Sequence, residues 1–368
     1  MALSRMGSLN ALEQTAGNAF WRRWVGQALP SADTIGRVFS GLDCETLRAA
    51  LRYIYTRLKR NKALKPAFHG LFALVVDGHE SGASYLRCCR GCLRRTVHTR
   101  EGDRTQYYHR NVTAVLVCRD FPLLLDVESV RPGEEEVGAA MRLLERVLRD
   151  YPRAFQVILG DSLYVRQEVF DLGKRRGKHV IAVLKDERRD LLQDALSLFA
   201  AEQPVLRQRG KGGRVSALTW DIEGFTSWTQ LGTEVRVVRS VETSTVRRQM
   251  DGRHEQRTSD WIWVTTLSKK KAPTEAVIEL GHDRWVIENN ELNELVTYWH
   301  ADHLYRHHPT AIDAFWLLTM LAYNLFHAFI YLNLKAQVRC RYSKLHWARL
   351  IAAEFYSCER YCLPPVPI

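Results

Sequence analysis

Three acidic residues stand where carboxylates can bind metal ions. Asp77 closes one short apolar run and precedes a predicted turn at residues 78–82, and Asp161 closes a second apolar run at residues 155–160. Apolar runs of this length indicate buried strands, so each aspartate is expected at the C-terminal edge of its strand. The third acid, Glu288, belongs to a helical pattern further along the chain.

Glu288 lies on the apolar side of its predicted helix. Its face is shared by residues that follow at spacings of four, seven and eleven, namely Leu292, Leu295 and Trp299. Arg284 precedes Glu288 by four residues, close enough to pair with it. A carboxylate at the edge of a buried face is costly unless it is paired or binds a metal. This helix alone is compatible with both an Arg–Glu pair and a metal ligand.

Together, the three acids predict a two-metal site. Carboxylates from separate elements, meeting at the carboxyl ends of a sheet, provide the oxygen ligands that Mg²⁺ or Mn²⁺ prefers. Two such ions, roughly 4 Å apart, can activate an attacking oxygen and stabilise the leaving oxygen of a phosphodiester. The predicted ligands are Asp77, Asp161 and Glu288. Asp126, on another predicted strand, is a further acid that could face this site.

The elements around these acids indicate an α/β fold. A strand, a helix and a strand follow one another over residues 155–184, which is the pattern of a βαβ unit. After Pro204 the hydrophobic period changes to two, as in strands, and a helical pattern resumes at Thr274 and leads to Glu288. We therefore predict a helical segment, an interrupted α/β domain, a β-rich insertion and a tail, at residues 1–70, 71–203 plus 260–350, 204–259 and 351–368.

The composition favours a nucleic-acid partner. The 368 residues carry a formal net charge of +12, and a basic excess of this size indicates a polyanion, most often nucleic acid. The eight cysteines lack the spacing of a secreted disulfide framework, so we expect reduced thiols in a cytosol. An apolar stretch at residues 315–334 contains Thr319, Asn324 and His327, which favours a buried helix over a membrane span.

A cysteine pair raises the question of zinc. Cys89 and Cys92 have the spacing of a zinc knuckle, and His98 or His109 could complete a site. A second paired ligand set does not accompany them. Reduced, partly buried cysteines beside a turn are therefore the alternative interpretation.

Three stretches of the sequence resemble the DDE transposases of bacterial insertion sequences, in the IS-four-like group. They read VVD at residues 75–77, ILGDSLY at residues 158–164 and RWVIEN at residues 284–289. The resemblance extends over roughly residues 70–330 in colinear order. It implies an RNase H-like mixed sheet flanked by helices, with an all-β insertion before the third acid.

The resemblance also implies cut-and-paste transposition, in which an activated water nicks DNA and the freed 3′-hydroxyl attacks another strand. Asp77, Asp161 and Glu288 would hold two Mg²⁺ or Mn²⁺ ions, and Arg284 would contact phosphate or orient Glu288. Relatives stack an extruded base on a tryptophan of the β insertion. The candidates for DNA contacts in the insertion are Trp220, Trp228, Arg247 and Arg248.

Two signature positions of these transposases differ in this chain. Gly281 stands where the signature has a tyrosine, and Leu295 stands where it has a lysine. Two other hypotheses therefore remain beside an active transposase. One is a catalytically impaired relative that only binds DNA, and the other is a zinc-stabilised nucleic-acid-binding protein.

An active transposase of this kind would bind double-stranded DNA, both at terminal inverted repeats and at a target. It would act as a homodimer or a larger synaptic assembly in the bacterial cytoplasm, associated with the nucleoid and not with a membrane. The helical residues 1–70 are a candidate remnant of a DNA-binding module.

Overall fold

The computed structural model describes residues 7–185, 190–210, 215–247, 253–286, 289 and 292–355. Within them, ten strands form one mixed sheet. The strands are β1 Ala73–Ser84, β2 Leu93–Thr99, β3 Gly102–Val117, β4 Leu123–Ser129, β5 Val157–Gly160, β6 His179–Val183, β7 Val205–Arg209, β8 Val215–Phe225, β9 Val235–Arg247 and β10 His254–Thr265.

Helices cover the sheet and precede it. They are α1 Leu9–Glu13, α2 Ala32–Ser40, α3 Cys44–Arg60, α4 Glu136–Asp150, α5 Gln167–Arg175, α6 Asp190–Ala201, α7 Thr274–Val286, α8 Asn293–Trp299, α9 Pro309–Asn333, α10 Ala336–Arg339 and α11 Lys344–Phe355. Several start at capping side chains that the sequence displays. Asp43, for example, accepts hydrogen bonds from the first backbone N–H groups of α3.

The strand order is β2-β3-β1-β5-β6-β10-β9-β8-β7, and β4 pairs with β3. β5 runs parallel to both β1 and β6, whereas the other pairs are antiparallel. β5, α5 and β6 thus form the predicted βαβ unit. This large mixed sheet flanked by helices confirms the predicted α/β fold class.

Both faces of the sheet are buried, because successive residues of a strand point to opposite sides. Leu74 and Val76 of β1 pack on one face with residues of α4, α5 and α6. Ala73 and Val75 pack on the other face with residues of α7, α8 and α9. An apolar run without alternation is what such a doubly covered strand requires.

β10 joins the core to the region predicted as an insertion. Its residues 263–265 pair with residues 181–183 of β6, and the whole strand pairs with β9. The strands β7 to β10 therefore extend the core sheet. The domain boundaries at residues 70, 203, 259 and 350 stay a prediction.

β1 does not end at Asp77. The predicted turn at residues 78–82 is wrong, because β1 remains paired with β3 as far as Ser84. An irregularity in the register near Gly82, whose φ is +61°, accommodates the extra length. Asp77 therefore lies in the middle of its strand.

Among the described helices, α9 is the one long and apolar enough to span a membrane. However, 67% of its most apolar 18-residue window is buried inside the protein. Its polar residues Thr319, Asn324 and His327 are buried as well. Asn324 exchanges two hydrogen bonds with the backbone of Leu124 in β4. These contacts make α9 a helix of the protein core.

Candidate active site

Asp77 and Asp161 are brought together by the parallel pairing of β1 with β5. The paired residues run from Ala73 with Val157 to Val75 with Leu159, and Asp77 and Asp161 each follow the last pair by two residues. Neighbouring strands lie about 4.8 Å apart, and laterally paired side chains point to the same face. We therefore expect the two carboxylates to lie close together at the carboxyl end of β5.

Arg284 approaches this pair from α7. Its Nη1 lies 3.9 Å from Oδ1 of Asp77, and both residues are buried. The contact links the last turn of α7 to the middle of β1. At this distance the positive guanidinium and the negative carboxylate attract each other across the interface of helix and sheet.

Asp161 is oriented by the turn that follows it. Its Oδ1 accepts a hydrogen bond from the backbone N–H of Leu163 at 2.8 Å, which caps the 3-10 turn Ser162–Tyr164. This bond fixes one oxygen of the carboxylate to the backbone. Because Asp161 is partly exposed, its carboxylate is accessible to a ligand.

A third carboxylate, that of Glu136, lies beside the two aspartates and was not selected from the sequence. Its Oε1 accepts a hydrogen bond from the Tyr164 hydroxyl at 3.0 Å, and Nε of Arg110 lies 3.1 Å from its Oε2. The carboxyl group packs against Gly78, where a Cβ atom would overlap it. Burial raises the pKa of Glu136, and the charge of Asp161 raises that pKa further.

The pKa of the Tyr164 hydroxyl responds to the charges of all three acids. Burial raises its pKa well above the ordinary value, and the charges of Glu136, Asp77 and Asp161 add to this rise. The hydroxyl therefore remains a hydrogen-bond donor.

The sequence signal for Glu136 was an acidic run at residues 134–136, which is also ordinary at a helix N-terminus.

Glu288 lies outside the described residues, so its role as the third ligand stays a prediction. The flanking elements are α7, which ends at Val286, and α8, which begins at Asn293. The residues predicted to share its face, Leu292, Leu295 and Trp299, are all buried.

The comparison with protein-family models decides the identity of the fold and the general chemistry. A model described as Transposase DDE domain matches residues 94–325, which is more than half of the chain. The chain belongs to this transposase family. The matched range contains Asp161 and Glu288 and begins after Asp77. A search of the curated proteins found no match.

Membership in this family makes transposition the general function, with DNA as the substrate and divalent metal ions as the usual cofactor. The acids of the transposase fit such ions. Asp77, Asp161 and Glu136 place three carboxylates in one partly buried region, where unopposed negative charge is costly. Arg110 and Arg284 offset that charge in part, and carboxylate oxygens are the donors that Mg²⁺ and Mn²⁺ prefer.

The packing of the transposase accounts for both departures from the family signature. A Cβ at Gly281 would overlap the indole of Trp263, a buried residue of β10, so a tyrosine does not fit there. Leu295 is fully buried in the core on the α9 side of the sheet. A lysine at this position would bury an ammonium group, which is costly without a partner.

The two tryptophans predicted to stack on DNA pack against core helices. Nε1 of Trp220 donates a hydrogen bond to the carbonyl of Glu202 at 3.1 Å, and the Arg239 guanidinium lies 5.1 Å from its ring. Trp228 meets Phe170 edge-on, with ring centroids 5.0 Å apart. Both tryptophans are half-buried, and their contact with DNA stays a prediction.

The arginines of the insertion divide into two groups. Arg248 and the side chain of Arg247 lie outside the described part of the chain, so their DNA contacts stay predictions. Arg236 is buried and forms a bidentate ion pair with Asp221, at 2.7 and 2.6 Å. Its charge therefore stabilises the sheet.

A large exposed aromatic that the sequence reasoning missed is Trp285 of α7, with 50% exposure next to Arg284.

Three of the four predicted zinc ligands lie together. The ligand atoms of Cys89, Cys92 and His109 are all within 4.8 Å of one another. His98 is exposed and pairs with Asp103 at 2.6 Å, toward the other end of the β2–β3 hairpin. His98 is therefore not part of the cluster.

Proposed function

We propose that this transposase cleaves DNA at the ends of an insertion sequence and joins the freed 3′-hydroxyl to a target strand. The observation that supports the proposal is the parallel register of β1 with β5, whose last pair, Val75 with Leu159, stands two residues before Asp77 and Asp161. In this proposal Asp77, Asp161 and Glu288 hold two Mg²⁺ or Mn²⁺ ions. When bound, these ions supply Lewis acidity for phosphodiester cleavage and transfer.

The side chains around the acids have distinct roles in this proposal. Arg284, whose Nη1 lies 3.9 Å from Oδ1 of Asp77, contacts a DNA phosphate or orients Glu288 in this proposal. Tyr164 donates to Glu136 and keeps that carboxylate turned toward the aspartates. Asp161 is held by the backbone of its own turn, so its geometry does not depend on the ligand.

The net charge of +12 supports a double-stranded DNA substrate, because lysine and arginine replace the counterions of the phosphate backbone. Element ends and target DNA must be held at the same time for strand transfer. We therefore propose a homodimer or a larger synaptic assembly as the active form.

A nicking assay tests the proposal. Full-length protein is incubated with a duplex that carries the inverted repeat flanking its coding region, with Mg²⁺ or Mn²⁺, and new 3′-hydroxyl ends are quantified. We expect metal-dependent nicking that falls at least about 100-fold in Asp161→Asn, because the charge of one metal ligand is lost. Asp103→Asn, an exposed acid of the β2–β3 hairpin, is the matched control and should nick at the wild-type rate.

Two outcomes would contradict active transposition. Nicking that persists in Asp161→Asn would place the chemistry elsewhere. Specific binding of the duplex with no nicking in either metal would favour the catalytically impaired relative. That hypothesis arises because Gly281 and Leu295 stand where the signature has a tyrosine and a lysine.

A further inference from the structure

A cysteine–histidine cluster lies outside the acidic site, and the proposed DNA chemistry does not use it. Sγ of Cys89 and Sγ of Cys92 are 3.7 Å apart. Nε2 of His109 lies 3.4 Å from the first sulfur and 3.3 Å from the second. Two sulfur atoms and one imidazole nitrogen, which are donor atoms that zinc binds, therefore lie around one point.

These separations are those of ligands around a tetrahedral zinc ion. With Zn–S bonds of about 2.3 Å and Zn–N bonds of about 2.0–2.1 Å, tetrahedral angles place two sulfurs about 3.8 Å apart and a sulfur and a nitrogen about 3.6 Å apart. The observed distances agree to within about 0.3 Å. A disulfide does not fit, because its sulfurs would be about 2.05 Å apart.

The local chemistry also suits a metal. His109 is 4% exposed and Cys92 is 6% exposed, so two of the three donors lie inside the protein, away from bulk water. The backbone N–H of Cys89 donates to Sγ of Cys92 at 3.1 Å, as expected for a sulfur that carries negative charge.

A candidate fourth donor, His307, lies on the segment that enters α9, although its ring nitrogens are outside the group of donor atoms that lie within 4.8 Å of one another. Nδ1 of His307 is buried and has no hydrogen-bond partner among the described residues. Gly91 allows this segment to approach His109, because a Cβ there would be 3.2 Å from Cγ of Pro309 and 3.6 Å from Cε1 of His109.

We propose that Cys89, Cys92 and His109 bind a structural zinc ion, with His307 as the candidate fourth ligand. The ion would connect three separate elements: the turn before β2, the strand β3 and the segment entering α9. His109 pairs in register with Ser81 of β1, the strand that carries Asp77. Zinc would thereby brace the sheet edge beside the acids, and this inference does not depend on the catalytic proposal.

Metal content of the full-length protein provides the first test. After expression in zinc-supplemented medium and removal of loosely bound metal, mass spectrometry should find about one zinc per chain. In the wild-type protein a thiol-modifying mercurial should release that zinc to a chromophoric chelator. Cobalt substitution should produce the intense sulfur-to-cobalt charge-transfer absorption and the visible bands of a tetrahedral thiolate site.

Variants assign the ligands. Cys92→Ser and Cys89→Ser should weaken zinc binding at least about tenfold and diminish the cobalt charge-transfer band. Cys88→Ser is the matched control, since Cys88 is exposed, adjacent in sequence and outside the cluster. His307→Ala should shift the cobalt bands and lower affinity, whereas His98→Ala should leave both unchanged.

Several results would overturn the proposal. The site is refuted by wild-type protein that binds no zinc on reconstitution, or by Cys89 and Cys92 forming a disulfide in the purified chain. Zinc that is retained at wild-type affinity in Cys92→Ser refutes it as well. Wild-type cobalt spectra in His307→Ala would remove His307 from the ligand set.

Discussion

At the scale of single residues, the active site depends on which acids share one location. Asp77 and Asp161 could be selected from the sequence because each closes a short apolar run of residues. Glu136 could not, because an acid in the first turn of a helix has an ordinary role in offsetting the helix dipole. Its proximity to Gly78 and Tyr164 shows that it belongs with the aspartates.

Substitution of Glu136 tests its contribution to the acidic site. Glu136→Gln preserves the shape and the hydrogen bond from Tyr164 but removes one negative charge. We expect nicking to fall by about tenfold and the Mg²⁺ concentration for half-maximal nicking to rise, because less charge attracts the ions. The measurement is a Mg²⁺ titration of the nicking rate. Glu135→Gln, at an exposed neighbour, is the control, and equal titrations for both variants would exclude a role for Glu136.

The free energy of unfolding is expected to depend on pH through Asp283 of α7. Burial, followed by the charge of Glu279, raises the pKa of Asp283 from 3.8 to about 7. The folded state therefore binds this proton more tightly than the unfolded state. The stabilisation is complete below about pH 4 and is lost as the pH rises through about 7, with an upper limit of about 4 kcal/mol.

Asp283→Asn should remove this dependence. We expect the free energy of unfolding of this variant, minus that of wild type, to increase between pH 5 and pH 8, as measured by urea denaturation, because only wild type loses stability over this range. Glu145→Gln, at an exposed acid of α4, should follow the wild-type pH profile. A constant difference between Asp283→Asn and wild type across this range would contradict the assignment.

At the scale of elements, buried ion pairs decide how the helices dock on the sheet. Asp126 of β4 accepts from Nε of Arg48 in α3 at 2.9 Å and from Nε of Arg146 in α4 at 2.5 Å. Asp126 is 3% exposed, so it ties two helices to a strand. The sequence left open whether this acid faces the active site, and these two contacts account for its burial.

Asp126→Ala should therefore destabilise the fold. Removing the carboxylate takes the shared partner from two largely buried guanidiniums. Arg48 keeps Glu45 and Arg146 keeps Glu128, so we expect a loss of about 3 kcal/mol, at the lower end of the cost of breaking a buried ion pair. The free energy of unfolding from urea denaturation gives the value. Glu145→Ala, at the exposed side of α4, should change it by less than about 0.5 kcal/mol. A loss below about 1 kcal/mol for Asp126→Ala would show that the arginines find other partners.

At the scale of the whole molecule, the net charge of +12 governs the encounter with DNA. Part of the basic surface is already neutralised, since Arg52 pairs with Asp150 and Arg239 with Asp260. DNA contact is therefore expected from the remaining cations acting together.

Salt should weaken DNA binding steeply. If about six to ten phosphates are contacted, the affinity for a short duplex falls on the order of 10³-fold or more between about 50 and 200 mM salt, because releasing counterions into a more concentrated salt solution gains less entropy. Fluorescence anisotropy with a labelled duplex, without divalent metal, measures this slope. An affinity that is independent of salt would contradict a phosphate-dominated interface.

The sequence by itself determined the local elements and the class of the fold. Apolar runs, capping residues and the change of period after Pro204 are local signals, so they predict strands and helices without knowledge of their neighbours. The tertiary structure alone decided which distant elements meet. In the folded chain β10 pairs with β6, and Glu136 lies beside Asp161. The indole of Trp263 occupies the space next to Gly281, and His109, not His98, joins the cysteine cluster. These contacts join residues far apart in the chain, and their register is set by packing across the sheet, which a local pattern does not encode.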